Sequence, residues 1–304
     1  MDLSIIIVSW NTRELLQRCL EVIFYSSTQY SFDVWVIDNA STDHSASMIQ
    51  NEFPHIHLIV SNENLGFAHA NNLAIAQTSA RYVMLLNPDT EIDRYVIDLL
   101  INYMDTHPDI GASSPKLLNP DGTLQVSSYP RPTLSREFWR LFHLDEIFPY
   151  AAYPKSYWNS NNPLVVDVLI GACLLLRGQI LKQVGLLDDT YFMYTEEVDF
   201  CYRVQKAGWQ LAWVPNAIVV HYGGQSTKMV RQEMFINLYR SKVIFFRKHY
   251  GELRTQLYKL ILYAASGLRL AISPFAAFSE PTRRNEQMIL VNNYKRLLSE
   301  LRGM

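Results

Sequence analysis

Leu3–Trp10 reads LSIIIVSW, and Thr12–Ser27 just after it reads TRELLQRCLEVIFYSS. The first is a continuous β-branched run, the pattern of a strand covered on both faces. The second places apolar residues at 15, 16, 19, 20, 23 and 24, one stripe of an α-helix. The same alternation recurs three times. FDVWVIDNASTD (Phe32–Asp43) is a strand breaking into a polar loop, before the helix SASMIQNEF (Ser45–Phe53). IHLIVS (Ile56–Ser61) is a third strand, before the glycine turn and Ala-rich helix of NLGFAHANNLAIAQTS (Asn64–Ser79). RYVMLLNPDTEID (Arg81–Asp93) is a fourth strand, and YVIDLLINYMDTH (Tyr95–His107) a helix ending before Pro108. Short connections between strand and helix imply right-handed crossovers. The chain therefore predicts an α/β fold, a mostly parallel sheet with helices on both faces.

Each of the four strands ends in polar residues: Asn11-Thr12, Asp38-Asn39, Asn62 to Asn64, and Asn87 to Asp89. In open α/β sheets the carboxyl ends of the strands form the ligand-binding edge. Four polar ends on one edge exceed what turns alone require, so this edge binds something. GFAHAN at Gly66–Asn71 is not a GxGxxG fingerprint, and no GxxxxGK[ST] motif is present, which argues against a dehydrogenase or P-loop enzyme.

Beyond Gly122 the pattern changes. Ser127–Pro163 is rich in proline and aromatics with little periodicity, the character of a lid or binding loop. LVVDVLIGACLLLRG (Leu164–Gly178) predicts a strand, QILKQVG (Gln179–Gly185) a short helix, and LAWVPNAIVVHYGG (Leu211–Gly224) one or two strands ending in His221. Thr227–Met304 reads as helices broken near Gly251 and around Ser273 to Pro281. The expected organisation is a domain over 1–250, with halves 1–125 and 126–250, and a basic helical extension over 251–304.

Composition is that of an ordinary globule: 304 residues, 49% hydrophobic, 18% charged, net charge −2, with no overall signal for nucleic acid. The charge is uneven. From Lys228 onward there are 14 Lys/Arg against 5 Glu, leaving 13 basic against 24 acidic residues for the rest. Such a tail either meets an anionic surface such as lipid headgroups or forms solvated helix faces. Leu257–Phe278 is apolar but interrupted by Lys259, Arg269 and Pro274; it can lie in a membrane interface or pack as a core helix, and does not read as a span. Cys19, Cys173 and Cys201 are scattered, as expected of reduced thiols in the cytoplasm, and no signal peptide is expected.

Asp89 ends a buried strand after a proline, where a carboxylate can reach a cation or simply close a turn. Asp38 can accept from the imide N–H of uracil or thymine, or cap the next helix. TEEVDFCYR puts Glu196, Glu197 and Asp199 within four residues. Acids favour a helix's first turn, but Glu196 and Asp199 at i, i+3 share a face and leave Glu197 pointing elsewhere, free to deprotonate a hydroxyl. His221 ends AIVV as Asp89 ends YVMLL, and a His and an Asp at one sheet edge suit a hard metal.

In this order the motifs SIIIVSWN, WVIDNASTD, NENLGFAHANN, LLNPDT, IGACLLLRG, FMYTEEVDFCYRVQKAGW and VVHYGGQST resemble the inverting glycosyltransferases of family two, over roughly Leu3 to Thr227. The branch most alike is the rhamnosyltransferase-like group that builds cell-surface polysaccharides. The resemblance implies a GT-A fold, a Rossmann-like mixed sheet, here with a C-terminal helical extension. It implies a donor of the dTDP- or UDP-sugar class, dTDP-L-rhamnose foremost, and a saccharide or polyprenyl-linked acceptor at the inner face of the plasma membrane. Asp38 would contact the pyrimidine, with Asn11 and Asn39 nearby. Asn64, Gly66, Asn71 and Asn87 would line the ribose and diphosphate. Asp89 and His221 would hold Mg2+ or Mn2+. The second acid of the family's Glu-Asp pair is the base; that position is Glu197, whose longer side chain leaves the proton to Glu197 or to a neighbour, Glu196 or Asp199. Two departures stand out: LLNPD replaces a stricter Asp-x-Asp, and Glu replaces Asp at the base position. They keep open a rival reading, a non-catalytic nucleotide-sugar or glycan-binding module; a nucleotidyltransferase lacks its glycine-rich N-terminal loop.

Overall fold

The computed structural model of the chain describes residues 1–225, 230–273 and 281–304, with backbone alone for 281–286. The end of the VVHYGGQST motif and the expected break around Ser273 to Pro281 therefore lie partly outside the described residues. Two compact units are present. One comprises Met1–Arg131, Tyr153–Phe192 and Glu196–Lys228; the other comprises Pro132–Ala152, Met193–Thr195 and Met229–Met304.

The first unit begins with β1 (Leu3–Ser9), α1 (Arg13–Tyr25), β2 (Phe32–Asn39), α2 (Ser45–Glu52), β3 (His57–Ser61), α3 (Phe67–Ile75) and β4 (Tyr82–Leu86). β1 pairs in parallel with β2 and β4, and β2 with β3, giving the order β3-β2-β1-β4. Leu3, Ile5 and Ile7 on one face of β1 pack with Leu16, Leu20 and Ile23 of α1, while Ser4 and Ile6 on the other face are equally buried. Cover on both faces is what the unbroken β-branched run demanded.

After β4 come β5 (Thr90–Ile92), α4 (Val96–Thr106), β6 (Ile110–Leu118), β7 (Leu124–Gln125) and β8 (Ser128–Tyr129). The second unit contributes α5 (Leu134–Leu141) before the chain returns through β9 (Leu164–Val165), β10 (Val168–Leu169), β11 (Cys173–Arg177), α6 (Gly178–Val184), α7 (Glu196–Lys206) and β12 (Gln210–His221). β11 inserts antiparallel between β4 and β6, and β12 runs parallel to β6 and antiparallel to β5. The sheet is mixed: β1 to β4 are parallel to one another, and β6 and β12 form a second parallel pair.

Two expectations change. Leu164–Gly178 is three short strands rather than one, because Asp167 turns aside: its carboxylate accepts from Arg131 N (2.9 Å) and its N–H donates to Tyr153 Oη (2.9 Å). The aperiodic Ser127–Pro163 segment contains the helix α5, capped where Thr133 Oγ1 accepts from Arg136 N at 3.2 Å. Eight residues rich in aromatics give too little periodicity to read.

The second unit is built on α8 (Arg231–Ile272) and α9 (Pro281–Glu300). α8 kinks at Gly251, whose φ of 82° interrupts the helix at the break read from the sequence. Glu137 of α5 is wholly buried between Lys242 (2.7 Å) and Arg140 (2.9 Å). Burial works against its charge, yet Lys242 and Arg140 outweigh it and hold the carboxyl below the usual glutamate range. Among the described residues no helix is long and apolar enough to cross a membrane.

Candidate active site

β12 pairs with β5 so that His221 faces Thr90, which brings its ring beside Asp89. Tyr222 N–H donates to the Asp89 carbonyl (2.9 Å) and fixes that register. Asp89 and His221 are 5% and 9% exposed, and Asp89 Oδ1 lies 3.3 Å from His221 Nε2. The ring's other nitrogen, Nδ1, is 2.6 Å from Gln125 Oε1. Gln125 Nε2 donates to Asn119 Oδ1 (3.0 Å) and to the His221 carbonyl (3.3 Å), so its amide is oriented with Oε1 toward the ring. Nδ1 therefore donates to Gln125, and Nε2 is the nitrogen that faces Asp89, with Asn87 Nδ2 3.4 Å from it. An imidazole nitrogen and a carboxylate at this distance share a cation, a proton or a metal ion. A donor set of one carboxylate and one imidazole fits a hard divalent metal that draws its remaining ligands from phosphate and water. Among the described residues no group of three or more His, Cys, Asp or Glu side chains is placed to hold a metal.

The turn carrying Asn87 and Asp89 is pinned from several sides. Asn87 N–H donates to Ala172 O (2.9 Å), and Thr90 Oγ1 donates to Asn87 O (2.7 Å). Ala172 follows Gly171, and a Cβ placed at Gly171 would meet the Phe67 ring at 3.5 Å and Glu197 Cβ at 4.0 Å. Residues 171–172 thus have Glu197 on one side and the Asp89–His221 turn on the other.

Of the three acids that open α7, Glu196 and Asp199 are buried and Glu197 is partly open, as their spacing implied. Asp199 Oδ2 binds Arg203 Nε at 2.7 Å, and Arg203 donates onward to the carbonyls of Val184 (2.6 Å) and Leu186 (2.7 Å). Asp199 is thereby the buried end of a tie from α7 to the segment after α6. Glu196 Oε2 is buried without a hydrogen-bond partner among the described residues. Burial first, and the charge of Glu197 second, push the Glu196 carboxyl well above the usual glutamate range. Tyr194 and Thr195, at φ 67° and 74°, precede these acids; two consecutive left-handed non-glycine residues store backbone strain at the entry to α7.

At the ends of β1 and β2 the loops are stitched together. Asn11 (φ 52°) accepts from Thr42 N through Oδ1 (2.7 Å), and its own N–H donates to Ser41 Oγ (3.0 Å). Asp38, 2% exposed, accepts weakly from Ser41 N through Oδ2 (3.3 Å), while its Oδ1 is buried with no partner among the described residues. The next helix begins only at Ser45, with His44 at its N-cap, so Asp38 holds the loop at Ser41 rather than capping a helix.

Asn39, Asn64 and Gly66 are brought together, in a shaping role. Asn39 Nδ2 donates to Asn64 Oδ1 (2.9 Å) and its Oδ1 accepts from Leu65 N (2.8 Å); Asn64 Oδ1 also accepts from Gly66 N (3.0 Å). Gly66 is dictated by a close approach: at φ 78°, a Cβ there would lie 2.2 Å from Phe192 O, the atom that accepts from Phe67 N (2.9 Å). Asn71 is 1% exposed, with Nδ2 on the Phe67 carbonyl (2.8 Å). Its neighbour Asn72 clamps Leu187 through both amide groups, donating to its carbonyl (2.8 Å) and accepting from its N–H (3.1 Å). The sequence reading missed Asn72 and Gln125; nothing in a two-residue strand such as β7 announces that it orients a histidine 96 residues away. All three cysteines are free and buried, and burial pushes the thiols of Cys19 and Cys201 up to about 12.

The chain is similar to known proteins in sequence and in fold. N-acetylglucosaminyl-diphospho-decaprenol L-rhamnosyltransferase of Mycobacterium tuberculosis is 29% identical over 304 aligned residues, covering 94% of this chain and 97% of that one. The rhamnosyltransferase WbbL of Escherichia coli is 29% identical over 180 residues, 56% of this chain and 66% of the relative. Among solved structures, a mannosyltransferase of Pyrobaculum calidifontis in complex with GDP-Man and Mn2+ superposes with a TM-score of 0.57 at 17% identity, over 97% of this chain and 86% of that one. GalNAc-T7 with UDP, GalNAc and Mn2+ superposes with a TM-score of 0.59 at 14% identity, over 79% of this chain and 47% of that one. These two likenesses establish the GT-A-like fold. Residues 4–183 match the family described as Glycosyl transferase family 2, and the chain accordingly belongs to that family and is a glycosyltransferase of its rhamnosyltransferase branch.

Proposed function

We propose that this protein is a metal-dependent inverting glycosyltransferase that moves rhamnose from dTDP-L-rhamnose to a hydroxyl of a saccharide or lipid-linked acceptor in cell-surface polysaccharide synthesis. The observation that carries the reading is the nearness of a half-buried acid, Glu197, to the buried Asp89–His221 pair across residues 171–172. The relatives named as rhamnosyltransferases, one on a decaprenol-linked sugar, support the donor and acceptor classes.

Asp38 Oδ1 accepts the imide N–H of the pyrimidine, the contact its orphaned buried oxygen is suited to make. Asp89 and His221 would hold Mg2+ or Mn2+, whose charge neutralises the departing diphosphate. Glu197 takes the proton of the acceptor hydroxyl as its oxygen bonds to the anomeric carbon from the face opposite the leaving group. The carbon–oxygen bond to the diphosphate breaks in the same displacement, so the configuration inverts and no covalent enzyme intermediate forms. Burial raises the Glu196 carboxyl above the usual glutamate range, which favours its neutral form beside the charge of Glu197. A lipid-linked acceptor sets the reaction at a membrane surface.

A panel of nucleotide sugars scored by nucleotide release, with and without EDTA, tests the proposal, and the anomeric configuration of the product is read by NMR. Release from dTDP-L-rhamnose that stops in EDTA and gives an inverted product is expected. Preference for another sugar would replace the donor, full activity in excess EDTA would remove the metal, and a retained anomer would remove direct displacement.

A further inference from the structure

In the sequence, Lys259 and Arg269 interrupt the apolar run of α8; in the structure they lie on its covered side. Lys259 is 7% exposed, and Arg269 donates to the carbonyls of Ala265 (3.2 Å) and Leu141. What remains on the outside is apolar throughout. Between 257 and 272, Leu257, Leu260, Leu268 and Ile272 are 42, 61, 50 and 55% exposed, and the other exposed positions are Ala264, Gly267 and Ala271. At about 100° per residue these fall within an arc of roughly 140°, running about 22 Å along the helix. Leu253, 77% exposed, extends the face toward Gly251. A continuous apolar helix face of this length is not an ordinary water-facing surface.

Charge indicates what covers it. The chain from Lys228 onward holds 14 Lys/Arg against 5 Glu, and this unit exposes Arg247, Lys248, Arg254, Lys295 and Arg302. Two copies of so basic a segment repel each other, whereas an anionic bilayer attracts it and accepts the leucines. No described helix can span a membrane, so the helix lies in the interface plane. We propose that the Leu253–Ile272 face of α8 seats the enzyme on an anionic lipid surface; this deepens the reading of a lipid-linked acceptor by naming the surface that meets the acceptor's membrane.

The test is flotation of the full chain with vesicles of phosphatidylglycerol and phosphatidylcholine in equal parts, against phosphatidylcholine alone. Leu257→Glu/Leu260→Glu and, separately, Leu268→Gln are compared with the parent after matching their melting temperatures. The parent is expected to float with the anionic vesicles, less so at high salt, and the double variant to partition about tenfold less or weaker. Equal flotation of parent and both variants, equal binding to both vesicle types, or no flotation of the parent overturns the proposal. A parent that is dimeric by light scattering, fails to float, and becomes monomeric in the variants assigns the face to a second copy instead. Flotation needs neither nucleotide nor acceptor, so its outcome is separate from that of the donor assignment.

Discussion

Gln125 and His221 are joined by a 2.6 Å hydrogen bond that decides which ring nitrogen faces Asp89. The glutamine amide is itself held by Asn119 and by the His221 carbonyl, so the imidazole is presented with its Nε2 3.3 Å from the carboxylate. Three residues from separate strand ends thus come together, and in the proposed metal site the glutamine would be the positioning residue.

Loss of that orientation weakens the site without removing a ligand. Gln125→Ala is expected to lower Mn2+ affinity in the presence of dTDP by about 10- to 100-fold, the usual cost of losing the hydrogen bond behind a histidine ligand. Asp89→Ala abolishes the binding, and Asn87→Asp, by adding a carboxylate beside His221, tightens Mn2+ binding in the absence of nucleotide. Calorimetric titration reads all three; unchanged affinity in Gln125→Ala would remove the orienting role.

The acids of α7 separate by assay. Glu197→Gln is expected to lower transfer by about 10²- to 10⁴-fold with dTDP binding intact. Asp199→Asn acts on stability, because it leaves Arg203 buried without its carboxylate partner; a loss of about 3–5 kcal/mol is expected in urea unfolding. Transfer that survives in Glu197→Gln would exclude it as the base.

Glu196 sets a pH dependence. Its folded-state pKa is raised by burial and by Glu197, so the unfolded chain releases this proton first as pH climbs past the ordinary glutamate value of about 4.3. Stability is therefore undiminished below that value and falls as pH rises toward the folded-state value. Glu196→Gln removes the penalty: its melting temperature relative to the parent is expected to be higher at about pH 7 than at about pH 4. A constant difference across that range would mean the carboxyl ionises freely in the fold.

Asp38 should govern the base. Asp38→Asn replaces an acceptor oxygen with chemistry that cannot serve the imide in both amide orientations, and Asp38→Ala leaves the N–H unsatisfied. A loss of roughly 10- to 100-fold in dTDP affinity is expected from Asp38→Ala, the range for a hydrogen bond to a charged group. Equal affinity in parent and variant would mean the orphaned oxygen meets water.

Gly66→Ala tests the close approach. A methyl group there lies 2.2 Å from Phe192 O with the backbone at φ 78°, so either the 192 segment moves or the turn rearranges. Destabilisation beyond about 1 kcal/mol is expected, with lower nucleotide affinity as the neighbouring loop shifts. An unchanged melting temperature would show the approach to be dispensable.

Much of the first unit was legible before any coordinates. β1, β2 and β4 are apolar runs because both their faces are covered, and the polar residues at their ends collect at one edge because parallel strands share a direction. The i, i+3 spacing of Glu196 and Asp199 correctly separated two buried acids from a partly open one. Less was legible where elements are short. β9, β10 and β11 replace one expected strand, and α5 stands in a segment without periodicity, since eight residues or fewer carry too few repeats to register.

What the sequence determined by itself is local: strand and helix periods, the residue types at each strand end, and the order of motifs that carries the family resemblance. Only tertiary structure decided which ends meet. The antiparallel register of β12 on β5 puts His221 beside Asp89, Gln125 reaches the ring from a strand of two residues, and Phe192 presses its carbonyl onto Gly66. It also turned Lys259 and Arg269 to the covered side of α8 and left the leucines outside. The physical reason is one of range. Backbone geometry repeats every two or 3.6 residues and leaves its mark on the chain nearby, whereas register and contact between distant segments follow from packing and hydrogen-bond satisfaction over the whole sheet.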